Sequence, residues 1–261
     1  MTRKSDECRP DEILLHIPHS SKNIPAEYLP LFYLNEDELK RELLRMTDSY
    51  TDELFAVPEI PDENIIRFPL SRLVCDVERF RNDRDEIMAG KGMGVCYLST
   101  SDLTGLKRVP DSHKREMLAC YDRHHAGLTA AADRLLERYD RGLLIDCHSF
   151  SSEKLPYECE NSKPRPDICI GQDAGMHTRE WLKQYLIQSF ADKGYSVDVD
   201  YPFSGTMVPL KHYHRDPRLM SAMIEINRGL YMDEVTGARK DSFDNVRTDI
   251  ADIILGITWQ P

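Results

Sequence analysis

Two histidines, His19 and His148, are the residues of this sequence best placed to do chemistry. Each follows a short apolar run and is itself followed by serine, in IPHSS and DCHSF. A hydrophobic core has no use for a histidine at such a point, and two in matching settings point to a shared site. Neutral imidazole binds zinc, and a hydrolytic zinc site needs three protein donors, commonly two histidines and a carboxylate, with one position open for water. The third donor is open between Asp48 and Asp52, which are four residues apart and share a face if the segment is helical. Both equally suit a solvated helix surface. A metal-binding imidazole is oriented through its other nitrogen, and Asp146 beside His148 is the candidate orienter, unless it only caps a turn.

Glu225 is the candidate general base. It stands among apolar residues in SAMIEINRG, where a carboxylate is costly to bury without a cation and where a raised pKa suits proton transfer. The competing reading is a salt bridge to Arg228. Arg72 and Arg79 lie in SRLVCDVERF, and guanidinium forks suit bidentate capture of a substrate carboxylate, although Arg79 could equally pair with Asp76 or Glu78. His16 is expected to bond in the core, on the opposite face from its strand neighbours. His124 and His125 fall on a long helix, and His212 and His214 share a loop with Lys211 and Arg215 that either clamps an anion or is solvated. There is no GxSxG elbow, phosphate-binding GxxxxGK[ST] loop, HExxH helix or GxGxxG fingerprint. Ser149 cannot form a triad with the adjacent His148.

The elements that must position these residues alternate between strand and helix. Short apolar runs predict strands at Ile13 to Ile17, Ile65 to Phe68, Leu73 to Val77, Leu143 to Ile145, Ile168 to Ile170, Tyr195 to Val199 and Met220 to Ile226. Amphipathic spacing predicts helices over Glu36 to Phe55, Lys114 to Tyr139, His177 to Lys193 and Ser242 to Leu255, with Ser242 as an N-cap and Gly256 as a stop. The stretch from Arg81 to Pro110 is irregular and glycine-rich. This order implies an α/β fold, a three-layer α/β/α sandwich with a mixed, largely parallel sheet in one domain over 1–261, its site at strand C-terminal ends.

Composition excludes other classes. With 41% hydrophobic and 30% charged residues among 261, the chain is an ordinary globular one. A formal net charge of -11, with no basic run, argues against a nucleic-acid partner. Apolar stretches fall far short of the roughly 20 residues needed to cross a bilayer. The N-terminus lacks a signal-peptide pattern, so a cytoplasmic location is expected. Seven scattered cysteines with no CxxC pair read as reduced, mostly buried small hydrophobes.

In order along the chain, IPHSS, DSYTDELF, SRLVCDVERF, LLIDCHSF, PFSG and IEINRGLYMDE resemble the N-formylglutamate amidohydrolase family, from about Ile13 to Glu234. The resemblance implies a fold related to zinc carboxypeptidases and one Zn2+ per chain. It implies His19, Asp48 and His148 as metal ligands, with Asp52 the fallback, and Glu225 as catalytic base and later acid. Arg79 matches the arginine of the family's Asp-x-Asn-Arg pattern, with Arg72 as a helper, and Gly205 belongs to a glycine-rich substrate loop. The pattern here reads DVER, with Glu78 where the family has asparagine, and Thr206 replaces the loop's second glycine. The implied reaction is hydrolysis of a small N-acyl amino acid, N-formylglutamate foremost, to formate and glutamate, a step of histidine degradation in that family. The alternatives are a zinc carboxypeptidase or other N-acyl amino acid deacylase, and a non-catalytic ligand-binding protein on the same fold.

Overall fold

The computed structural model describes residues 7–158, 163–173 and 175–260. Six strands, β1 (Ile13–Ile17), β2 (Ile65–Arg67), β3 (Gly142–Phe150), β4 (Ile168–Gly171), β5 (Val197–Val199) and β6 (Leu219–Asn227), form one sheet in the order β2-β1-β3-β6-β4-β5. Every pairing is parallel except β4 with β6, so the sheet is mixed and largely parallel, as expected. Among the described residues, five α-helices accompany it: α1 (Glu36–Met46), α2 (Thr51–Leu54), α3 (Asp111–Tyr139), α4 (Glu180–Asp192) and α5 (Phe243–Leu255).

The side-chain period of two divides the central strands cleanly. Ile13, Leu15 and Ile17 of β1 join Leu143, Ile145 and Cys147 of β3 and Ala222, Ile224 and Ile226 of β6 in a core closed by α4 and α5. Leu14, Leu144 and Leu219 face the other way, onto Leu128, Ala131, Ala132 and Leu135 of α3. Both faces are therefore covered, and each fully buried leucine or isoleucine contributes roughly 1.5–3 kcal/mol of transfer free energy. His16, Asp146, His148 and Glu225 alternate with the first set, so all four lie on the α3 face.

Three expectations need correction. Leu73 to Val77 is a turn rather than a strand, with Val74 and Cys75 N–H groups donating to the Ser71 carbonyl. Val74 and Val77 are buried because they pack with Met117 and Tyr121 of α3, not because a sheet holds them. The segment Glu36 to Phe55 is two helices: α1 starts on an Asn35–Glu38 capping box, and the chain breaks at Thr47 to Tyr50, where Tyr50 takes a left-handed φ of 69°. Asp48 stands in that break and Asp52 in α2, so they do not share a helix face. In addition, β3 continues through Phe150, which puts His148 inside the strand rather than beyond it.

The irregular stretch before α3 is tied down by buried polar groups. Glu42 accepts from the Ser101 N–H at 2.6 Å and from its hydroxyl at 2.8 Å, and Lys107, 2% exposed, donates to the Leu73 carbonyl. Burial pushes the Lys107 ammonium down to about 7. Cys8, Cys75, Cys147 and Cys169 are buried and free, Cys96 and Cys120 are half-buried, and Cys159 lies outside the described residues. Among the described residues, no helix is long and apolar enough to cross a membrane.

Candidate active site

The parallel register brings the polar residues of three strands to one end of the sheet. His19 follows β1 by two residues, while His148 of β3 and Glu225 of β6 are direct partners across the ladder. Asp48 arrives from the α1–α2 break, where its own N–H donates to the His19 carbonyl at 3.0 Å and Thr51 holds its carbonyl. The left-handed Tyr50 thus serves to turn the chain so that Asp48 meets the sheet.

His19, Asp48 and His148 are all buried, and one ligand atom from each lies within 4.8 Å of the others, so the group could hold a metal ion. Asp48 Oδ2 lies 3.1 Å from His148 Nδ1 and 3.7 Å from His19 Nδ1. The opposite nitrogens are held by carboxylates: His19 Nε2 donates to Asp76 at 2.8 Å and His148 Nε2 to Asp146 at 3.1 Å. A carboxylate on Nε2 keeps the proton there and directs the Nδ1 lone pair inward, the orientation a metal requires. His19 Nδ1 is buried without a hydrogen-bond partner, as a donor awaiting a cation would be. Burial opposes ionisation of Asp48, but its contacts with His148 and His19 outweigh it and hold the carboxyl well below its ordinary range.

Glu225 is 6% exposed, and its Oε2 also lacks a hydrogen-bond partner. Burial pushes its carboxyl up to about 8, with Asp48 adding to the rise while His148, Arg228 and Arg72 pull against it. The salt bridge weighed for it is not formed, since Arg228 donates to Ser149 and the Arg45 carbonyl and stands 3.5 Å from Asp48 Oδ1. Arg72 donates twice to Asp76 Oδ2, at 3.2 and 2.8 Å. Arg79 is not on the surface: it donates to the Met93 carbonyl at 3.1 Å and the Tyr97 hydroxyl at 3.2 Å. All three arginines line a cavity of about 170 Å³ together with His19, Asp48, His148 and Glu225. A larger cavity of about 510 Å³ adjoins it and shares Arg79, Tyr157, Glu158 and Phe203.

The structure therefore gathers His19, Asp48, His148, Glu225, Arg72 and Arg79 around one cavity and leaves Asp52 outside it. Gly205, at φ +91°, is not among the residues lining the cavity, whereas Phe203 and Ser204, which precede it in the chain, are. Glu78 lines the cavity, with its carboxylate 3.2 Å from His16 Nδ1. Lys211 and His212 are spent on Asp133 of α3, which ties down their loop rather than presenting an anion clamp. Sequence reasoning missed Asp76 as the support of His19 and Arg228 as a neighbour of Asp48. The one available signal was chemical, in that Asp76 is a charge inside an apolar run and so needs partners.

Comparisons with known proteins bear on the fold and the family. A relative from Pseudomonas putida, an N-formylglutamate deformylase, is 23% identical over 240 residues, covering 85% of this chain and 82% of its own. The crystal structure of N-formylglutamate amidohydrolase from Ralstonia eutropha JMP134 superposes with a TM-score of 0.81 at 20% identity, over 95% of this chain and 93% of that one. A gene product of Agrobacterium tumefaciens has the same fold more loosely, with a TM-score of 0.61, 16% identity and coverage of 94% and 90%. The family model for N-formylglutamate amidohydrolase matches residues 11–232, a span that includes every residue of the cavity described above. By that match, the chain belongs to the N-formylglutamate amidohydrolase family.

Proposed function

We propose that this protein hydrolyses the amide bond of a small N-acyl amino acid, N-formylglutamate foremost, with one Zn2+ held by His19, Asp48 and His148. The observation that carries this reading is the unpartnered Glu225 Oε2, buried beside a two-histidine, one-carboxylate group whose outer nitrogens are already fixed by Asp76 and Asp146. The donor set fits zinc, which when bound polarises the scissile carbonyl and acidifies water. Glu225 takes a proton from the attacking water as its oxygen bonds to the carbonyl carbon, and returns that proton to the amide nitrogen as the C–N bond breaks. Formate and glutamate are the products. Arg72, Arg79 and Arg228 line the cavity, and guanidinium forks suit the carboxylates of an acidic amino acid. The small volume, about 170 Å³, favours a compact substrate.

Glu225→Gln tests the role directly. The amide fills the same space but cannot accept the proton, so kcat should fall at least 100-fold while zinc content stays near one per chain. An undiminished rate removes Glu225 from this role.

A further inference from the structure

Behind His148, on the α3 face of the sheet, lies a second buried polar cluster that meets the site through Asp146 and Glu78. His16 of β1 is fully buried, its Nδ1–H donating to Asp146 Oδ1 at 2.9 Å and lying 3.2 Å from Glu78 Oε1. Its Nε2 is 2.8 Å from His124 Nε2 of α3. Asp146 is thereby gripped on three sides, because Oδ1 also accepts from His148 Nε2 at 3.1 Å and Oδ2 accepts from the Met207 N–H at 2.8 Å.

We propose that His16 is a positioning residue for the metal centre, holding Asp146 against His148 Nε2 so that His148 Nδ1 stays aimed at Asp48 and His19. The proposal rests on the reading of those three residues as metal-holding. A histidine is otherwise out of place here, since its strand neighbours Leu14, Leu15 and Ile17 are all core residues. An apolar side chain in its place would leave Asp146 short of a donor and Glu78 Oε1, which has no hydrogen bond, without its nearest positive partner. His124 completes the support from behind, fixing the ring plane from a long helix.

His16 Nδ1, Glu78 Oε1 and Asp146 Oδ1 also lie within 4.8 Å of one another, close enough to hold an ion of their own. The donors already present argue for hydrogen bonding instead. Asp146 Oδ1 accepts from His16 Nδ1 and His148 Nε2, and its Oδ2 accepts from the Met207 N–H, so the carboxylate is satisfied without an ion.

The test is zinc affinity, measured by chelator competition on folded His16→Asn and His16→Gln. Asparagine sets its amide near the place of Nδ1 and keeps a donor toward Asp146, whereas glutamine reaches the place of Nε2 and keeps only the contact with His124. The proposal expects His16→Asn to stay within about threefold of the wild type and His16→Gln to bind roughly 10–100-fold more weakly. Equal affinities in the two variants, whether unchanged or equally reduced, would overturn it, because a purely structural role does not distinguish the two contacts. Two zinc ions per wild-type chain would also overturn it, by assigning the cluster as a cation site. A wild type that binds no zinc would overturn both this inference and the metal reading beneath it. Should His16→Gln fail to fold, His124→Leu releases His16 from behind only: an affinity reduced at least threefold supports the proposal, and an unchanged one refutes it.

Discussion

Asp76→Asn is the substitution that most sharply probes how the site is held. Asp76 is fully buried, and both its oxygens are occupied: Oδ1 accepts from His19 Nε2 at 2.8 Å and from the Glu78 N–H at 2.9 Å, while Oδ2 accepts from Arg72 at 2.8 and 3.2 Å and from the Tyr97 hydroxyl at 2.5 Å. Asparagine has the same shape but only one acceptor oxygen. Whichever way its amide turns, an NH2 group meets donors, either those of His19 and Glu78 or those of Arg72 and Tyr97. Arg72, with its side chain 12% exposed, loses its nearest counter-charge; Asp48 Oδ1 stands 3.9 Å away and compensates only in part. Breaking a buried pair from one side costs about 3–5 kcal/mol, so a loss of about 3 kcal/mol is expected after that compensation. For a chain of this size it lowers Tm by roughly 6–12 °C. Zinc affinity should fall about 10–100-fold, because the support of His19 Nε2 is disturbed. Urea unfolding in the presence of a chelator measures the first effect and chelator competition the second. A stability loss under about 1 kcal/mol together with unchanged zinc affinity would refute the view of Asp76 as the hub of this site.

Two further perturbations test separate parts of the account. Lys107 has a folded-state pKa pulled down to about 7, against roughly 10.4 unfolded. Between those values the unfolded chain binds more protons, so the wild type gains stability as pH rises, on the order of 1 kcal/mol per unit. Lys107→Met removes this dependence, so its advantage over the wild type is greatest at pH 7 and below and shrinks towards pH 10; a difference flat with pH in urea unfolding contradicts the burial argument. Gly171→Ala sets a Cβ 2.2 Å from the Gly205 carbonyl oxygen and 2.4 Å from Met223 Cε, beside the cavity. Stability should fall by about 1–3 kcal/mol and KM rise severalfold with kcat nearly unchanged, and unaltered steady-state kinetics would show that the Gly205 loop does not shape substrate binding.

The parts of the site legible in the sequence are those where short-range pattern and chemistry coincide. His19, His148 and Glu225 each break an apolar run, and in a parallel sheet such breaks collect at one end. Asp48 and Asp52 were not separable by spacing, because the charged, leucine-containing pattern runs on through the break that Tyr50 creates with its left-handed backbone. Leu73 to Val77 has the composition of a strand, and only the packing of α3 over it shows that its burial has another cause. The supports of the histidines lie further beyond reach: Asp76 is 57 residues from His19, and His16 is 130 from Asp146, pairings fixed by topology rather than by local sequence.

Metal-dependent hydrolysis of N-formylglutamate is read out by formate release before chelation, after it, and after zinc is restored. The account predicts release that disappears when the metal is stripped and returns as zinc approaches one per chain. Release that persists in protein shown by elemental analysis to be metal-free, or none with zinc bound, would contradict it.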